Sequence, residues 1–253
     1  PYGGAFDTLP EVSRTGYTFN GWFAEKSCIT LVTAATKVTS TSNHTLYARW
    51  TPITYTVDFN SNLGSGTMQA QMFGYDASAK TLTTNAFTRP GYTFNGWNTE
   101  ADGSGVKYAD GASVRNLAST ANDTVTLYAQ WTANTYTVSF NGNSSTAGTM
   151  ENQLFTYDAA QNLITNTFTK TFYTFTGWNT KTDGSGIPYS DEEAVKNLTD
   201  AANVTLYAQW TLRAYTVEFD SNKGSGSSYP TTAESMFVSY GGVYGTQTCF
   251  QQW

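Results

Sequence analysis

The chain has 253 residues, 19 acidic against 13 basic side chains, one histidine and a formal net charge of −6. Only 13% of residues are charged while 15% are aromatic, so the chain has ample surface to bury and does not read as a disordered polar tract. The acidic balance argues against nucleic acid as a partner, since phosphate binding needs clustered Lys and Arg. No apolar run approaches the ~18 residues of a membrane span, and one His with two Cys leaves little for a metal site.

Taken in chain order, the sequence is dominated by self-similarity. Gly16-Tyr17-Thr18-Phe19-Asn20-Gly21-Trp22 recurs at Gly91–Trp97 and, altered, at Phe172–Trp178. Thr45-Leu46-Tyr47-Ala48-Arg49-Trp50 returns at Thr126–Trp131 and Thr205–Trp210, so its closing tryptophans stand 81 and then 79 residues apart. Tyr55-Thr56-Val57-Asp58-Phe59-Asn60 returns at Tyr136–Asn141 and Tyr215–Asp220. Four segments follow: a partial repeat over 1–52 without the opening strand, full repeats over 53–133 and 134–212, and a partial repeat over 213–253 holding only the opening strands. Tyr2-Gly3-Gly4 and Tyr240-Gly241-Gly242 mark about the same phase of the repeat. Pro1 in place of Met points to a chain processed or cut from something longer.

Within a unit, Tyr55, Val57 and Phe59 alternate with polar residues, the period of a half-buried strand. Gln71–Tyr75 and Gln153–Tyr157 read as second strands, each followed by Asp76 or Asp158 as the N-cap of a short helical turn. Tyr92-Thr93-Phe94 reads as a strand ending at Gly96-Trp97, where glycine signals a bulge or tight bend. Asp102-Gly103-Ser104-Gly105 and Asp183-Gly184-Ser185-Gly186 are loops. A brief helix is expected at about 191–199, because Ser190 and Glu193 have capping-box spacing and Val195 and Leu198 share a helical face. Each unit is thus expected to be a small mixed sheet with one or two short helices. That is an α+β fold, strand-dominated, with the recurring rings forming the core. Four-residue linkers favour tandem units arranged as a stiff rod.

These motifs resemble the Listeria–Bacteroides repeat family, also described as the internalin B-repeat type. The resemblance is most specific over 53–212, weaker over 23–40 and weakest after Gly245. It implies a ubiquitin-like β-grasp unit, repeated as a stalk or adhesive module along secreted and surface-anchored microbial proteins, hence an extracellular or cell-surface location. The family brings no catalytic residues and no cofactor.

The residues themselves point the same way. His44, flanked by Asn43 and Thr45, reads as a solvated turn residue. Asp-Gly-Ser-Gly lacks the alternating acidic ligands of a calcium loop, and the Gly-Ser-Gly stretches lack the lysine of a phosphate loop. Asp191, Glu192 and Glu193 suit a helix N-terminus. No enzyme is expected. Five Asn-x-Ser/Thr sequons occur, at Asn43, Asn122, Asn143, Asn197 and Asn203, in a chain rich enough in Asn and Thr to produce them by chance.

Cys28 and Cys249 read either as free thiols or as an inter-subunit disulfide. The second reading joins the tail of one chain to the head of the next, because 213–240 and 1–52 together supply one whole repeat; such a contact does not close and gives a filament. The expected function is a non-catalytic structural repeat forming a stalk or filament at a microbial surface. The alternative is an adhesin-like module binding a glycan or host protein through exposed aromatics, with Tyr47, Tyr128 and Tyr207 as candidates.

Overall fold

The computed structural model describes residues 2–218 and 235–239. The chain divides into two compact units, Pro1–Thr132 and Ala133–Trp253.

In the first unit, β1 (Tyr17–Phe23), β2 (Leu31–Val32) and β3 (Tyr47–Pro52) form a three-stranded sheet in the order β2-β1-β3. Seven strands follow: β4 (Thr54–Asn60), β5 (Gln71–Gly74), β6 (Lys80–Thr81), β7 (Tyr92–Asn98), β8 (Lys107–Tyr108), β9 (Ser113–Val114) and β10 (Thr124–Ala133). Five of them form a sheet in the order β5-β4-β10-β7-β8, and β6 pairs with β9 apart from it. β4 runs antiparallel to β5 and parallel to β10, Thr56 opposite Thr124 through Asn60 opposite Tyr128. The first and last strands of the repeat are therefore neighbours in mid-sheet.

The second unit repeats the plan. β11 (Thr135–Asn141), β12 (Gln153–Thr156), β14 (Tyr173–Asn179), β15 (Pro188–Tyr189) and β17 (Asn203–Leu212) form a sheet in the order β12-β11-β17-β14-β15. Here β13 (Gln161–Asn162) pairs with β16 (Ala194–Val195). β11 and β17 are again parallel, from Thr137 opposite Asn203 to Asn141 opposite Tyr207. The hairpin β18 (Ala214–Glu218) and β19 (Ser235–Ser239) ends the described chain.

The alternating pattern accounts for the core. Tyr55, Val57 and Phe59 on β4 are buried while Thr54, Asp58 and Asn60 are exposed. They meet Phe73, Leu82, Phe87, Trp97, Val114, Leu127 and Ala129 in one cluster. The corresponding Tyr136, Val138, Phe140, Phe155, Leu163, Trp178, Val195, Leu206 and Ala208 build the second. The same ring geometry is made twice: Tyr55 stacks on Phe73 and Tyr136 on Phe155, with centroids 5.6 and 5.5 Å apart, while Phe59–Trp97 and Phe140–Trp178 both meet at 4.9 Å. Offset and tilted ring pairs of this kind add about 0.5–1.5 kcal/mol beyond their area burial.

The expectation of an α+β fold is corrected. The described residues hold no α-helix. Asp76 and Asp158 do not cap helical turns; both sit in the left-handed region, at φ 56° and 61°, whereas an N-cap residue has β-region angles. At 191–199, half of the capping box forms, with the Ser190 N–H donating to Glu193 Oε2 at 2.6 Å. Yet Glu192 and Asn197 adopt φ 59° and 55°, and Ala194–Val195 is drawn into pairing with β13. Burial of Val195 through that pairing outweighs a helix too short to be stable by itself.

The glycine signal held, although the strand does not stop there. β14 continues to Asn179 through a register shift between Phe175 and Gly177. Gly177 has φ 134° and Gly96 φ 106°; a Cβ would stand 2.7 Å from the Tyr189 carbonyl oxygen and 2.8 Å from that of Tyr108. The bulge brings Gly177, Trp178 and Asn179 inward together.

Candidate interaction surfaces

Three features could carry function: the joint between 1–52 and the first full repeat, the loops at the sheet ends, and the cavities.

At the joint only Ile53 separates β3 from β4, and it is buried. Its N–H donates to the Gly16 carbonyl and its own carbonyl accepts from the Tyr75 N–H. The Tyr17 ring packs edge-on against Tyr75 at 5.9 Å, with the Arg14 guanidinium 3.7 Å above it. A Cβ at Gly16 would collide with the Tyr75 ring. Tyr17 Oη donates to Asp76 Oδ2 at 2.9 Å, and Asp76 Oδ1 accepts from Asn116 Nδ2 at 2.9 Å and from Arg115 at 3.3 Å. The hydrogen bond from Asn116, then that from Tyr17, hold the Asp76 carboxyl below the usual carboxylate range, while the bond to Asp76 pushes the Tyr17 hydroxyl up.

The loops are held by asparagine amides, of which the sequence analysis singled out only Asn143, and that as a sequon. Asn98, fully buried, donates from Nδ2 to the carbonyls of Gly103 and Gly105 at 3.0 and 3.3 Å and accepts the Glu100 N–H at 2.8 Å. Asn179 holds its loop with one bond reversed: Nδ2 donates to the Gly184 carbonyl, and Oδ1 accepts the N–H groups of Lys181 and Gly186. Asn62 donates to the carbonyls of Ala101 and Ala129, and Asn143 to those of Thr182 and Ala208. The recurrence of Trp-Asn before each Asp-Gly-Ser-Gly loop was the available signal. Asp102 and Asp183 accept from the N–H and hydroxyl of Ser104 and Ser185, closing Asx turns and lowering both carboxyls.

These amides also explain sequons. Asn143 and Asn197 have their side chains committed, Asn197 to Asp158 at 2.6 Å. Their counterparts Asn62 and Asn116 do the same work without a Ser or Thr two residues on. At these two positions the Asn is kept for its amide.

The other candidates are dispersed. Cys28 is a half-buried free thiol at φ 54°; Cys249 lies outside the described residues. His44 is exposed, its ring edge-on to Phe6 at 5.9 Å. Tyr47 is exposed, Tyr128 and Tyr207 are half-buried, and Tyr128 and Tyr207 stand opposite Asn60 and Asn141 on the parallel strand.

Cavities open elsewhere. One of about 420 Å³ lies beside Pro10, Phe19 and Trp22. A second, of about 250 Å³, lies beside Asp102, Gln130 and Trp131. A third, of about 520 Å³, is lined in the second unit by Thr146, Thr169, Lys170, Phe172 and Arg213 among others.

Comparison with known proteins follows the same repeat. Over 140 residues, 54% of this chain, it is 43% identical to a Gly-rich membrane protein of Evansella cellulosilytica, covering 16% of that protein. It is 38% identical over 127 residues to internalin H of Listeria monocytogenes, which takes in 49% of this chain and 20% of internalin H. A membrane protein of E. cellulosilytica aligns over 83% of the chain at 28% identity, 30% of its own length. The chain thus spans less than a third of each of these relatives. The Listeria-Bacteroides repeat domain matches residues 1–49, 55–130 and 136–209; with the doubled sheet, core and amide-clamped loops, the chain belongs to the Listeria-Bacteroides repeat family.

Proposed function

We propose that this chain is a non-catalytic, tension-bearing stalk segment of a bacterial surface protein, built of β-grasp-type repeats in tandem. One observation carries the reading. In each full repeat the chain enters on one strand and leaves on a parallel neighbour, β4 beside β10 and β11 beside β17. Tension on the two ends of a repeat therefore pulls these strands in opposite directions along their length, and the ladder between them is loaded all at once. An antiparallel terminal pair would instead unzip one bond at a time. The strand order with first and last strands central supports the β-grasp description, and the names of the relatives support a membrane or cell-surface setting.

Single-molecule pulling on the chain tests the proposal. Two cooperative events, each releasing about 270 Å of chain for a repeat of about 80 residues at roughly 3.4 Å each, are expected well above the force that unzips a hairpin. Gradual extension without such events would remove the reading.

End-to-end association is a second proposal, supported by strand lengths. β10 begins at Thr124, where it pairs with β4, but β3 begins only at Tyr47, the counterpart of Tyr128. β18 carries the β4-type sequence Tyr-Thr-Val. Sedimentation velocity distinguishes the two: a species that stays monomeric at high concentration removes the association and leaves the stalk.

A further inference from the structure

Residue 172 breaks the repeat. Its counterparts are Gly16 and Gly91, with φ 76° and 73°, and Phe172 holds the same left-handed angle, φ 67°. A bulky aromatic residue rarely adopts that region, and such outliers persist where the surroundings impose them, often at binding sites. The ring is not hidden: Phe172 is 43% exposed. It borders the cavity of about 520 Å³, within the ~300–1,000 Å³ range of small-ligand sites.

Two cations share that cavity. Lys170 Nζ stands 4.7 Å from the centre of the Tyr173 ring, and Arg213 Nε donates to the Tyr173 carbonyl at 3.2 Å, which orients the guanidinium and leaves its terminal N–H groups outside that bond. Among the described residues, no Asp or Glu lines the cavity. Neither cation belongs to the ion pairs found among the described residues, Arg115–Asp76 and Lys196–Asp158. In a chain of net charge −6, a cavity whose described lining has two basic side chains and no acidic one is a local reversal of sign. The threonines Thr146 and Thr169 add hydroxyl groups at its wall.

We propose that this cavity is a binding site for an acidic oligosaccharide carrying sugar carboxylates. The Arg213 fork takes a carboxylate in two parallel hydrogen bonds. Lys170 supplies a second positive point. The exposed face of Phe172 receives the apolar face of a sugar ring, and the threonine hydroxyls meet its hydroxyl groups. In the first full repeat Gly91 stands where Phe172 does, so the aromatic wall of the site is missing there.

Isothermal titration calorimetry of the whole chain with tetragalacturonate, and with neutral galactotetraose as the uncharged probe, tests this. Tetragalacturonate binds, tenfold or more weaker in 0.5 M salt, and galactotetraose does not. Arg213→Gln and Lys170→Gln each weaken binding at least tenfold with an unchanged unfolding temperature. Phe172→Gly also weakens binding, while its unfolding temperature stays level or rises because glycine suits the left-handed angle. No heat with tetragalacturonate, equal binding of the neutral probe, or full binding by the Arg213→Gln, Lys170→Gln double variant overturns the site. The pulling experiment is independent of all these outcomes.

Discussion

At the scale of single residues, the buried asparagines carry more of the architecture than the aromatic motifs suggest. Asn98 satisfies three backbone groups of a loop with one side chain. A buried polar group left without its partner costs about 1–3 kcal/mol. Asn98→Ala is therefore expected to lower stability by about 2–4 kcal/mol, allowing for partial rescue by water, read as a shift in the urea midpoint. A change under about 0.5 kcal/mol would show that the Asp-Gly-Ser-Gly loop holds itself. Tryptophan shows the opposite tolerance. Trp178 Nε1 reaches Asp191 at 3.4 Å, while Trp97 Nε1 is buried without a hydrogen-bond partner. Both rings are 1% exposed, so packing of the indole, more than its N–H, keeps tryptophan here.

Between elements, the joint around Ile53 couples the β2-β1-β3 sheet to the first full repeat through charge as well as packing. Asp76 is depressed by bonds from Asn116 and Tyr17. A carboxyl with a lowered folded-state pKa contributes stability that is complete above its unfolded pKa and is lost as pH falls through the folded one. Tyr17 is raised by the same bond, so its contribution is present below its unfolded pKa and is lost as pH climbs through the folded value. The joint is thus strongest between these limits and loosens below the ordinary carboxylate range and again above that of tyrosine. Asp76→Asn keeps an oxygen for Tyr17 but cannot titrate. Protection of the Tyr75 amide, which bonds Ile53, measured as its hydrogen-exchange rate relative to the intrinsic rate at each pH, should fall on moving from pH 6 to pH 3 in the native chain and much less in Asp76→Asn. An equal response in both would assign the acid effect to other carboxylates, of which Glu25, Asp102 and Asp183 are also depressed.

For the molecule as a whole, the two cores are built from separate residues in matching roles. Leu127 and Leu206 are both fully buried on the last strand of their repeats, each beside the parallel first strand. Replacing either by Ala should cost about 2–5 kcal/mol. Leu127→Ala should strip exchange protection from 54–133 and leave 135–212 protected, with the reverse for Leu206→Ala. Uniform loss across both would mean that the repeats unfold as a single unit. The pattern expected is that of a beaded array, where stability is a sum of local contributions.

The amino-acid sequence by itself determined the period, the family and the core. Tyr55, Val57 and Phe59 alternate, and the rings recur, for a reason that acts locally: a strand with one wet face must alternate. It also announced the bulges, because only glycine tolerates a carbonyl so close at φ above 100°. Tertiary structure alone decided the rest. The capping signals at Asp76, Asp158 and Ser190 were sound as local chemistry, and were overridden because β6, β9, β13 and β16 gain more by pairing across the fold than a single helical turn gains by itself. Nothing local marks Asn62; only folding brings the carbonyls of Ala101 and Ala129, 39 and 67 positions away, to its amide. Lys170 and Arg213 lie 43 positions apart along the chain, and only folding brought their like charges to one cavity.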